Sequence, residues 1–323
     1  MSASTIVVYS STRSSDALIT ALRAATSREI VSCQDASACL RALPDAGVLF
    51  INGAAYDVAI ARAVSAAASL RWIQFLSSGT DRLLRYGGAR PDVTVTNAAE
   101  AIGPAVAEHA MALALGLVRA LPALEAAKRA RLWQRDAVTA RLSSLDGASV
   151  TVLGYGAIGR AIVERARAFG AQCTVVRRTP SAAQASPGVR FEELDDALAH
   201  ADMLFVALPL TAQTKGLLDR RRIRLLPASG YVVNVARSAV LDTVAVVDAL
   251  REGRLAGVAF DVFDEEPLPG SSPLWQVENL VISPHVAGLG SRRTVQRIAD
   301  ICVRNLRAFE AGTLTGLEGH SHR

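Results

Sequence analysis

Residues 151–170, TVLGYGAIGRAIVERARAFG, restrict the fold more than any other part of this chain. A short apolar strand at 150–153 leads into a turn that carries Gly154, Gly156 and Gly159 in G-x-G-x-x-G spacing, and an amphipathic helix follows. The first glycine permits a tight turn, the second lets a pyrophosphate approach the backbone, and the third lets helix and strand pack closely. The helix N-terminus also attracts phosphate. This context favours a dinucleotide site over a merely structural turn.

The composition is that of an ordered globular protein large enough for two domains. The chain has 323 residues, of which 50% are hydrophobic and 20% are charged, and this length predicts roughly two domains. The formal net charge is +5, but the basic residues are scattered. We therefore expect no nucleic-acid partner, and an anionic small molecule fits the charge equally well.

The cysteines do not indicate a metal site. Cys33, Cys39, Cys173 and Cys302 show no C-x-x-C spacing. Cys33 and Cys39 could form a metal or disulfide pair, but reduced and mostly packed thiols in a cytoplasmic protein are favoured, with no metal bound.

No segment predicts secretion or a membrane. The first apolar run, 5–9, is too short for a signal peptide and is predicted to be a strand. The most apolar helix, around 105–118, contains Glu108 and His109 and is expected to be too short to span a membrane.

Strands alternate with helical stretches along the whole chain, which predicts parallel sheets covered by helices. A helix is expected at 104–121, with Pro104 in its first turn. Trp133, in the basic segment after it, could line a cleft or a dimer contact, or cover the surface. The predicted strands are 5–10, 47–52, 72–76, 93–96, 150–153, 173–176, 203–208, 231–235, 258–261 and 280–283, with further helices at 16–25 and 292–311.

The end of the strand at 173–176 bears on the choice of cofactor. NAD-binding folds place an acidic residue about twenty residues beyond the glycines to hold the ribose hydroxyls. Here the strand ends in Arg177, Arg178 and Thr179. Guanidinium groups suit a phosphate dianion, so NADP is favoured. The alternative is NAD, with both arginines as solvated surface charges.

Seven stretches of the chain resemble the D-isomer-specific 2-hydroxyacid dehydrogenase family, which includes glyoxylate/hydroxypyruvate reductases and phosphoglycerate dehydrogenases. They occur in order from about residue 72 to 290, and together they are highly specific. The stretches are SSGTDRLL, VAEHAMALALGLVR, LGYGAIGRAI, LPLTAQTKGLLD, VNVARSAVLD, AFDVFDEEPL and SPHVAG.

The resemblance implies a catalytic set of Arg237, Glu266 and His285. Reduction of a 2-oxo acid needs a hydride at the carbonyl carbon and a proton at its oxygen. An imidazole suits the proton transfer, and a carboxylate bonded to it would fix its orientation and favour its charged form. A guanidinium can hold the substrate carboxylate or carbonyl oxygen with paired donors.

Further site residues are implied by the resemblance. Ser78 and Gly79 match the loop whose backbone N–H groups bind the substrate carboxylate. Asp261 matches the residue that holds the nicotinamide carboxamide, although a helix cap or loop residue is the alternative. His109 is interpreted as a structural histidine. Other positions expected to contact the dinucleotide are Ala157, Ile158, Pro209, Val235 and Ala236.

The resemblance also implies two doubly wound parallel-sheet domains with the active site in the cleft between them. A Rossmann coenzyme domain, 101–289, is expected to be inserted into a flavodoxin-like substrate domain, 1–100 and 290–323, in a homodimer. Together with the cofactor preference predicted from Arg177 and Arg178, the expected function is NADPH-dependent reduction of glyoxylate or hydroxypyruvate to the D-2-hydroxy acid. The alternatives are a phosphoglycerate dehydrogenase-like enzyme, from which the chain would differ by having no added C-terminal regulatory domain, and a dinucleotide-sensing corepressor-like protein.

Overall fold

The computed structural model describes residues 5–10, 15–178, 188–289, 291–313, 317 and 319. The chain divides into two compact units. Unit 1 comprises Met1–Ile102 and Gly288–Arg323, and unit 2 comprises Gly103–Ala287.

Each unit contains one parallel sheet. The strands of unit 1 are β1 (Thr5–Tyr9), β2 (Ile30–Cys33), β3 (Ala46–Ile51), β4 (Trp72–Phe75) and β5 (Thr94–Thr96). The strands of unit 2 are β6 (Ser149–Leu153), β7 (Gln172–Val176), β8 (Val189–Phe191), β9 (Met203–Val206), β10 (Tyr231–Asn234), β11 (Gly257–Phe260) and β12 (Leu280–Ile282).

Helices connect most of these strands, as the alternating sequence pattern predicts. They are α1 (Ser15–Ala25), α2 (Ala36–Ala42), α3 (Val58–Ala66), α4 (Asp81–Tyr86), α5 (Ala99–Val118), α6 (Leu121–Ala130), α7 (Arg135–Thr139), α8 (Ala157–Ala168), α9 (Leu194–Ala199), α10 (Arg220–Ile223), α11 (Thr243–Arg251) and α12 (Arg292–Glu310).

The strand orders confirm the predicted α/β fold class. In unit 1 the order is β2-β1-β3-β4-β5, which is the flavodoxin-like doubly wound order. In unit 2 the order is β12-β11-β10-β9-β6-β7-β8. Counted from β6 as the first strand, it is the Rossmann order 3-2-1-4-5-6 with a seventh strand added. Every strand pair in both sheets is parallel.

The last helix, α12, completes the core of unit 1. Its Cys302 and Leu306 are buried in one cluster with Val8 of β1. Phe309 stacks on Trp72 with ring centroids 5.4 Å apart. The helix α12 therefore packs against the sheet that begins with β1, far from it in sequence.

A buried polar network joins α12 to β4 and β5. Trp72 Nε1 donates to Thr96 Oγ1 at 2.8 Å, and the Thr96 hydroxyl donates to Gln74 Oε1 at 2.7 Å. Asn305 Nδ2 donates to the same Gln74 oxygen at 2.9 Å, and Gln74 Nε2 donates to the Phe75 carbonyl at 2.8 Å. The network offsets the cost of burying these polar groups and fixes the register of α12 on the sheet.

The glycine turn of unit 2 joins a buried strand to an amphipathic helix, as predicted. Four of the five residues of β6 are buried. The residues of α8 that are buried follow the helical period, at Gly159, Ile162, Val163 and Ala166. Close contact between α8 and the sheet is thus made by one narrow stripe that begins with a glycine.

Two strands, β2 and β8, were not predicted. Each lies at an edge of its sheet and is only partly buried. With four and three residues respectively, they lack the long apolar run that marks a strand covered on both faces.

The prediction for the long apolar helix was wrong at its start. The helix α5 begins at Ala99 rather than 104, where Asn97 Oδ1 accepts from the Ala99 N–H at 2.9 Å. Pro104 therefore lies inside the helix, in its second turn, where it removes one ladder hydrogen bond without ending the helix.

The prediction that this helix is too short to span a membrane was also wrong. With 20 residues, α5 is long enough to cross a membrane. Yet 67% of its most apolar 18-residue window is buried inside the protein, which is the environment of a core helix.

The four cysteines are buried free thiols. Burial raises the pKa of the Cys39 thiol to about 12 and that of Cys173 to about 11. A raised pKa keeps a thiol protonated, and only the thiolate is reactive. These side chains therefore act as small apolar core residues.

We predict that Gln74→Met lowers the free energy of unfolding by about 1–3 kcal/mol, because it leaves Thr96 and Asn305 without their shared acceptor. Chemical denaturation followed by circular dichroism measures the change. The control Gln296→Met alters an exposed residue of α12 whose Nε2 donates to the exposed carboxylate of Asp300, and it should change stability by less than about 0.5 kcal/mol. Equal effects of the two variants would contradict a stabilising role for the buried network.

Candidate active site

Loops at the carboxyl ends of six adjacent strands of unit 2 carry most of the predicted site residues. In sheet order these are Arg177 after β7, Gly154 after β6, Pro209 after β9, Arg237 after β10, Asp261 after β11 and His285 after β12. Five strand spacings make a row of about 24 Å. The order reverses between β6 and β9, where open α/β sheets bind their ligands.

The glycine turn is free of steric strain only with glycine at its first and third positions. Gly154 has φ +96°, and a Cβ there would lie 2.7 Å from the Ala207 carbonyl oxygen. A Cβ on Gly159 would lie 2.0 Å from the carbonyl oxygen of Gly154. Gly156, by contrast, has open space around it and is the N-cap of α8. The turn therefore fits a pyrophosphate that approaches the backbone at Gly156.

The residues that follow the turn expose the start of α8. Ala157 and Ile158 are its first two residues, and N–H groups of a first turn have no partner within the helix. They are available to phosphate oxygens. On the neighbouring loop, Pro209 is exposed, and its carbonyl accepts from the Thr214 hydroxyl at 2.6 Å.

Arg177 and Arg178 follow β7, as predicted. Arg177 is half-buried, and its guanidinium carbon lies 4.9 Å from the centroid of the Phe191 ring. Arg178 is exposed. The predicted residue Thr179 lies outside the described residues. The end of β7 is thus lined by cations where NAD-binding folds carry a carboxylate.

The turn that presents Arg237 is held by a buried asparagine that sequence reasoning missed. Asn234 is fully buried at the end of β10. Its Oδ1 accepts from the Ala236 N–H at 3.0 Å, and its Nδ2 donates to the Arg237 carbonyl at 3.1 Å. Arg237 Nη1 donates to the Ala236 carbonyl at 2.6 Å, and the Val235 N–H donates to Val206. A polar residue inside an otherwise apolar strand was the available signal.

Glu266 and His285 form a hydrogen-bonded pair. His285 Nδ1 lies 2.6 Å from Glu266 Oε2, and Glu266 Oε1 accepts from the Phe263 N–H at 2.9 Å. Both carboxylate oxygens are therefore engaged, which fixes the carboxylate and hence the imidazole. The His285 side chain is 46% exposed, so the imidazole remains accessible to a small molecule.

Asp261 holds the loop that carries His285. Its side chain is only 1% exposed, and Oδ1 accepts from the Ser283 hydroxyl at 2.5 Å and from the Val286 N–H at 2.9 Å. Oδ2 accepts from the Ala287 N–H at 2.9 Å. The donors lie on both sides of His285, which has φ +52°. The family resemblance implied a role for Asp261 toward the cofactor. Its role in holding the His285 loop by hydrogen bonds was not predicted.

His109 extends this network from α5. Its Nε2 lies 2.8 Å from Ser283 Oγ and 3.5 Å from Asp261 Oδ1. Because the Ser283 hydroxyl donates to Asp261, we assign the proton of His109 to Nε2, which then donates to Ser283. His109 supports the loop through these contacts.

Ser78 and Gly79 belong to unit 1, in the loop after β4. This loop is held by its neighbour Ser77, whose carbonyl accepts from the Ala98 N–H at 3.0 Å and whose hydroxyl accepts from the Gly53 N–H at 3.3 Å. A Cβ on Gly53 would lie 2.5 Å from that hydroxyl. The structure thus brings Arg237, Glu266 and His285 to one sheet edge of unit 2 and places Ser78 and Gly79 in unit 1.

The chain is similar to a protein family and to curated relatives. Residues 111–287 match the model of the D-isomer specific 2-hydroxyacid dehydrogenase NAD-binding domain. Glyoxylate reductase from Pyrococcus furiosus is 31% identical over 251 residues, which are 76% of this chain and 74% of that protein. D-3-phosphoglycerate dehydrogenase from Mycobacterium bovis is 31% identical over 274 residues, or 84% of this chain, but the match spans only 51% of that longer protein.

A similar solved structure covers nearly the whole chain. The D-isomer specific 2-hydroxyacid dehydrogenase from Xanthobacter autotrophicus, in complex with NADPH and MES, is 27% identical, with a TM-score of 0.82. The match covers 99% of this chain and 98% of that one.

We predict that two alanine substitutions in the glycine turn affect different properties, one the stability and the other the dinucleotide binding. Gly159→Ala should lower the free energy of unfolding by about 1–3 kcal/mol, because its methyl group meets a backbone carbonyl. Gly156→Ala should change stability by no more than about 1 kcal/mol but weaken dinucleotide binding, because its methyl group enters the open space that the pyrophosphate needs. Thermal unfolding and cofactor fluorescence titration measure the two effects. Unchanged binding by Gly156→Ala would contradict a pyrophosphate site there.

Proposed function

Because this chain belongs to the D-isomer specific 2-hydroxyacid dehydrogenase family, we propose that it reduces a small 2-oxo acid to the D-2-hydroxy acid with NADPH. The predicted NAD(P)-dependent oxidoreductase activity is confirmed by the family. The proposed substrate is glyoxylate or hydroxypyruvate. The similarity to glyoxylate reductase from Pyrococcus furiosus supports this choice.

The observation that carries the proposal is the Glu266–His285 pair. The carboxylate accepts from Nδ1 at 2.6 Å, so Nε2, on the other side of the ring, is the nitrogen that we assign to the substrate carbonyl oxygen. Through this hydrogen bond Glu266 fixes the plane of the ring. His285 thus acts as the proton donor in reduction and as the proton acceptor in the reverse direction.

We assign Arg237 to the substrate. Its planar guanidinium offers paired donors that suit a carboxylate or a developing oxyanion, and the Asn234 contacts hold the turn that presents it. The dinucleotide, when bound, supplies the hydride. Asp261 and the residues after the glycine turn are proposed to orient it.

We assign the dinucleotide to unit 2 and interpret unit 1 as the substrate domain, with the backbone N–H groups of Ser78 and Gly79 binding the substrate carboxylate. Support comes from the family match, which lies in unit 2, and from the glycine turn, whose geometry requires glycine at two positions.

The preference for NADPH is proposed from Arg177 and Arg178. Both are cationic and follow β7, the position from which an acidic residue would hold the ribose of NAD. The similar structure from Xanthobacter autotrophicus is a complex with NADPH, which supports the assignment.

A second candidate is oxidation of D-3-phosphoglycerate. The similarity to the dehydrogenase from Mycobacterium bovis favours it. Because the match spans about half of that protein, we place it second.

A homodimer and a cytoplasmic location stay predictions. The segment from α6 to the strand β6 exposes several large apolar side chains, which supports self-association. These are Leu121, Leu124, Leu132, Trp133 (95% exposed) and Leu142.

With glyoxylate or hydroxypyruvate as the substrate, we expect NADPH to be oxidised faster than NADH at the same cofactor concentration. The reason is that Arg177 and Arg178, which follow β7, are proposed to bind the 2′-phosphate that only NADPH carries. Initial rates at 340 nm measure this, with D-3-phosphoglycerate and NADP⁺ or NAD⁺ in parallel. Faster rates with NADH would overturn the cofactor preference alone, whereas activity with D-3-phosphoglycerate only would favour the second candidate.

We predict that His285→Ala lowers kcat by at least about 100-fold, because it removes the proton donor, while the Kd for the reduced dinucleotide changes less than about threefold. Stopped-flow turnover and fluorescence titration measure the two quantities. As a matched control, His200→Ala removes an exposed histidine of the same unit and should leave both unchanged. Turnover of the His285 variant at the wild-type rate would exclude the proposed mechanism.

A further inference from the structure

An aromatic ring on the edge strand β8 lies between the glycine turn and Arg177. The Arg177 guanidinium carbon is 4.9 Å from the Phe191 ring centroid. Phe191 also meets Tyr155 in a T-shaped contact, with centroids 5.6 Å apart and an interplanar angle of 88°. Tyr155 is the residue between Gly154 and Gly156, and it is only 8% exposed. The three side chains form a continuous row.

The backbone keeps this row in place. Val175 of β7 pairs with Phe191 of β8, so the ring stands beside the end of β7 and two residues before Arg177. The Gly154 N–H donates to the Val176 carbonyl at 2.8 Å, and this bond ties the turn to the same strand end. Phe191 is thus fixed by the sheet on one side and by the turn on the other.

We propose that Phe191 is a positioning residue for cofactor selection. Its ring holds the Arg177 guanidinium where it binds the 2′-phosphate of an NADP-type dinucleotide. This inference rests on the proposed preference for NADPH and adds to it the residue that makes the arginine selective.

The physical reason is the cost of ordering a long cation. The face of an aromatic ring attracts a guanidinium through its quadrupole. An arginine already held over a ring loses less conformational freedom when it binds a phosphate than one that moves freely in solvent. Tyr155 contacts the same ring in a T-shaped arrangement, so the 2′-phosphate position and the pyrophosphate turn are kept at a fixed separation.

The experiment compares two nucleotides that differ only in the 2′-phosphate, adenosine 2′,5′-bisphosphate and adenosine 5′-monophosphate. Isothermal titration calorimetry with the full chain gives the ratio of their Kd values. Phe191→Leu keeps an apolar side chain but removes the ring. We expect it to reduce the preference for the bisphosphate by about two- to tenfold, with the Kd of the monophosphate unchanged. Phe191→Tyr keeps the ring and should retain the wild-type preference.

A double-variant cycle tests whether the ring acts through the arginine. Arg177→Gln should abolish most of the preference, and adding Phe191→Leu to it should change the ratio no further. Equal weakening of both nucleotides by Phe191→Leu would show a merely structural ring and overturn the inference.

The two proposals fail in different ways. If wild-type protein and Phe191→Leu keep the same preference while Arg177→Gln loses it, the role of Phe191 is wrong and the NADPH preference stands. If wild-type protein does not prefer the bisphosphate, the NADPH preference falls, and the role of Phe191 falls with it.

Discussion

Parallel pairing of the unit 2 strands is the constraint on which the site depends. Backbone hydrogen bonds hold β10 beside β11 and β11 beside β12 in continuous register. Parallel strands all end at the same edge, so Arg237, Asp261 and His285 occupy neighbouring loops although nearly fifty residues separate the first from the last. These three residues are brought to one edge by the sheet, and the loops adjust only their final orientation.

That orientation is set by the burial of one carboxylate. A buried charge is costly unless donors surround it, and Asp261 obtains its donors from Ser283, Val286 and Ala287. These donors can reach it only if the chain bends sharply between them. The left-handed backbone at His285, a conformation that histidine adopts more readily than most residues, is the result of this bend. The hydrogen bonds that Asp261 accepts from Val286 and Ala287 thus set the backbone from which His285 reaches Glu266.

The sequence predicts the central parts of this protein well and its margins poorly. The strands covered on both faces are continuous apolar runs, and few other structures use this glycine spacing between a strand and a helix. Both features can therefore be predicted from the sequence. The edge strands β2 and β8 were missed because partial exposure dilutes their apolar pattern. The start of α5 was missed because the cap at Asn97 outweighed the usual placement of proline.

The proposed catalytic set was available from family motifs, but Asn234, Ser283 and Phe191 were not. These residues make buried hydrogen bonds or contacts with residues distant in sequence. Such contacts leave no periodic signal. Only the three-dimensional arrangement shows that a phenylalanine on a three-residue strand lies over an arginine.

The two edges of the unit 2 sheet have consequences for how such an enzyme can diversify. The strand β8 lies six spacings from β12, or about 29 Å. Substitutions separated by such distances combine almost additively. On the proposed roles, substitutions at β7 and β8 change the cofactor preference without altering the loop that carries His285. The width of the sheet thus lets the two proposed functions vary independently.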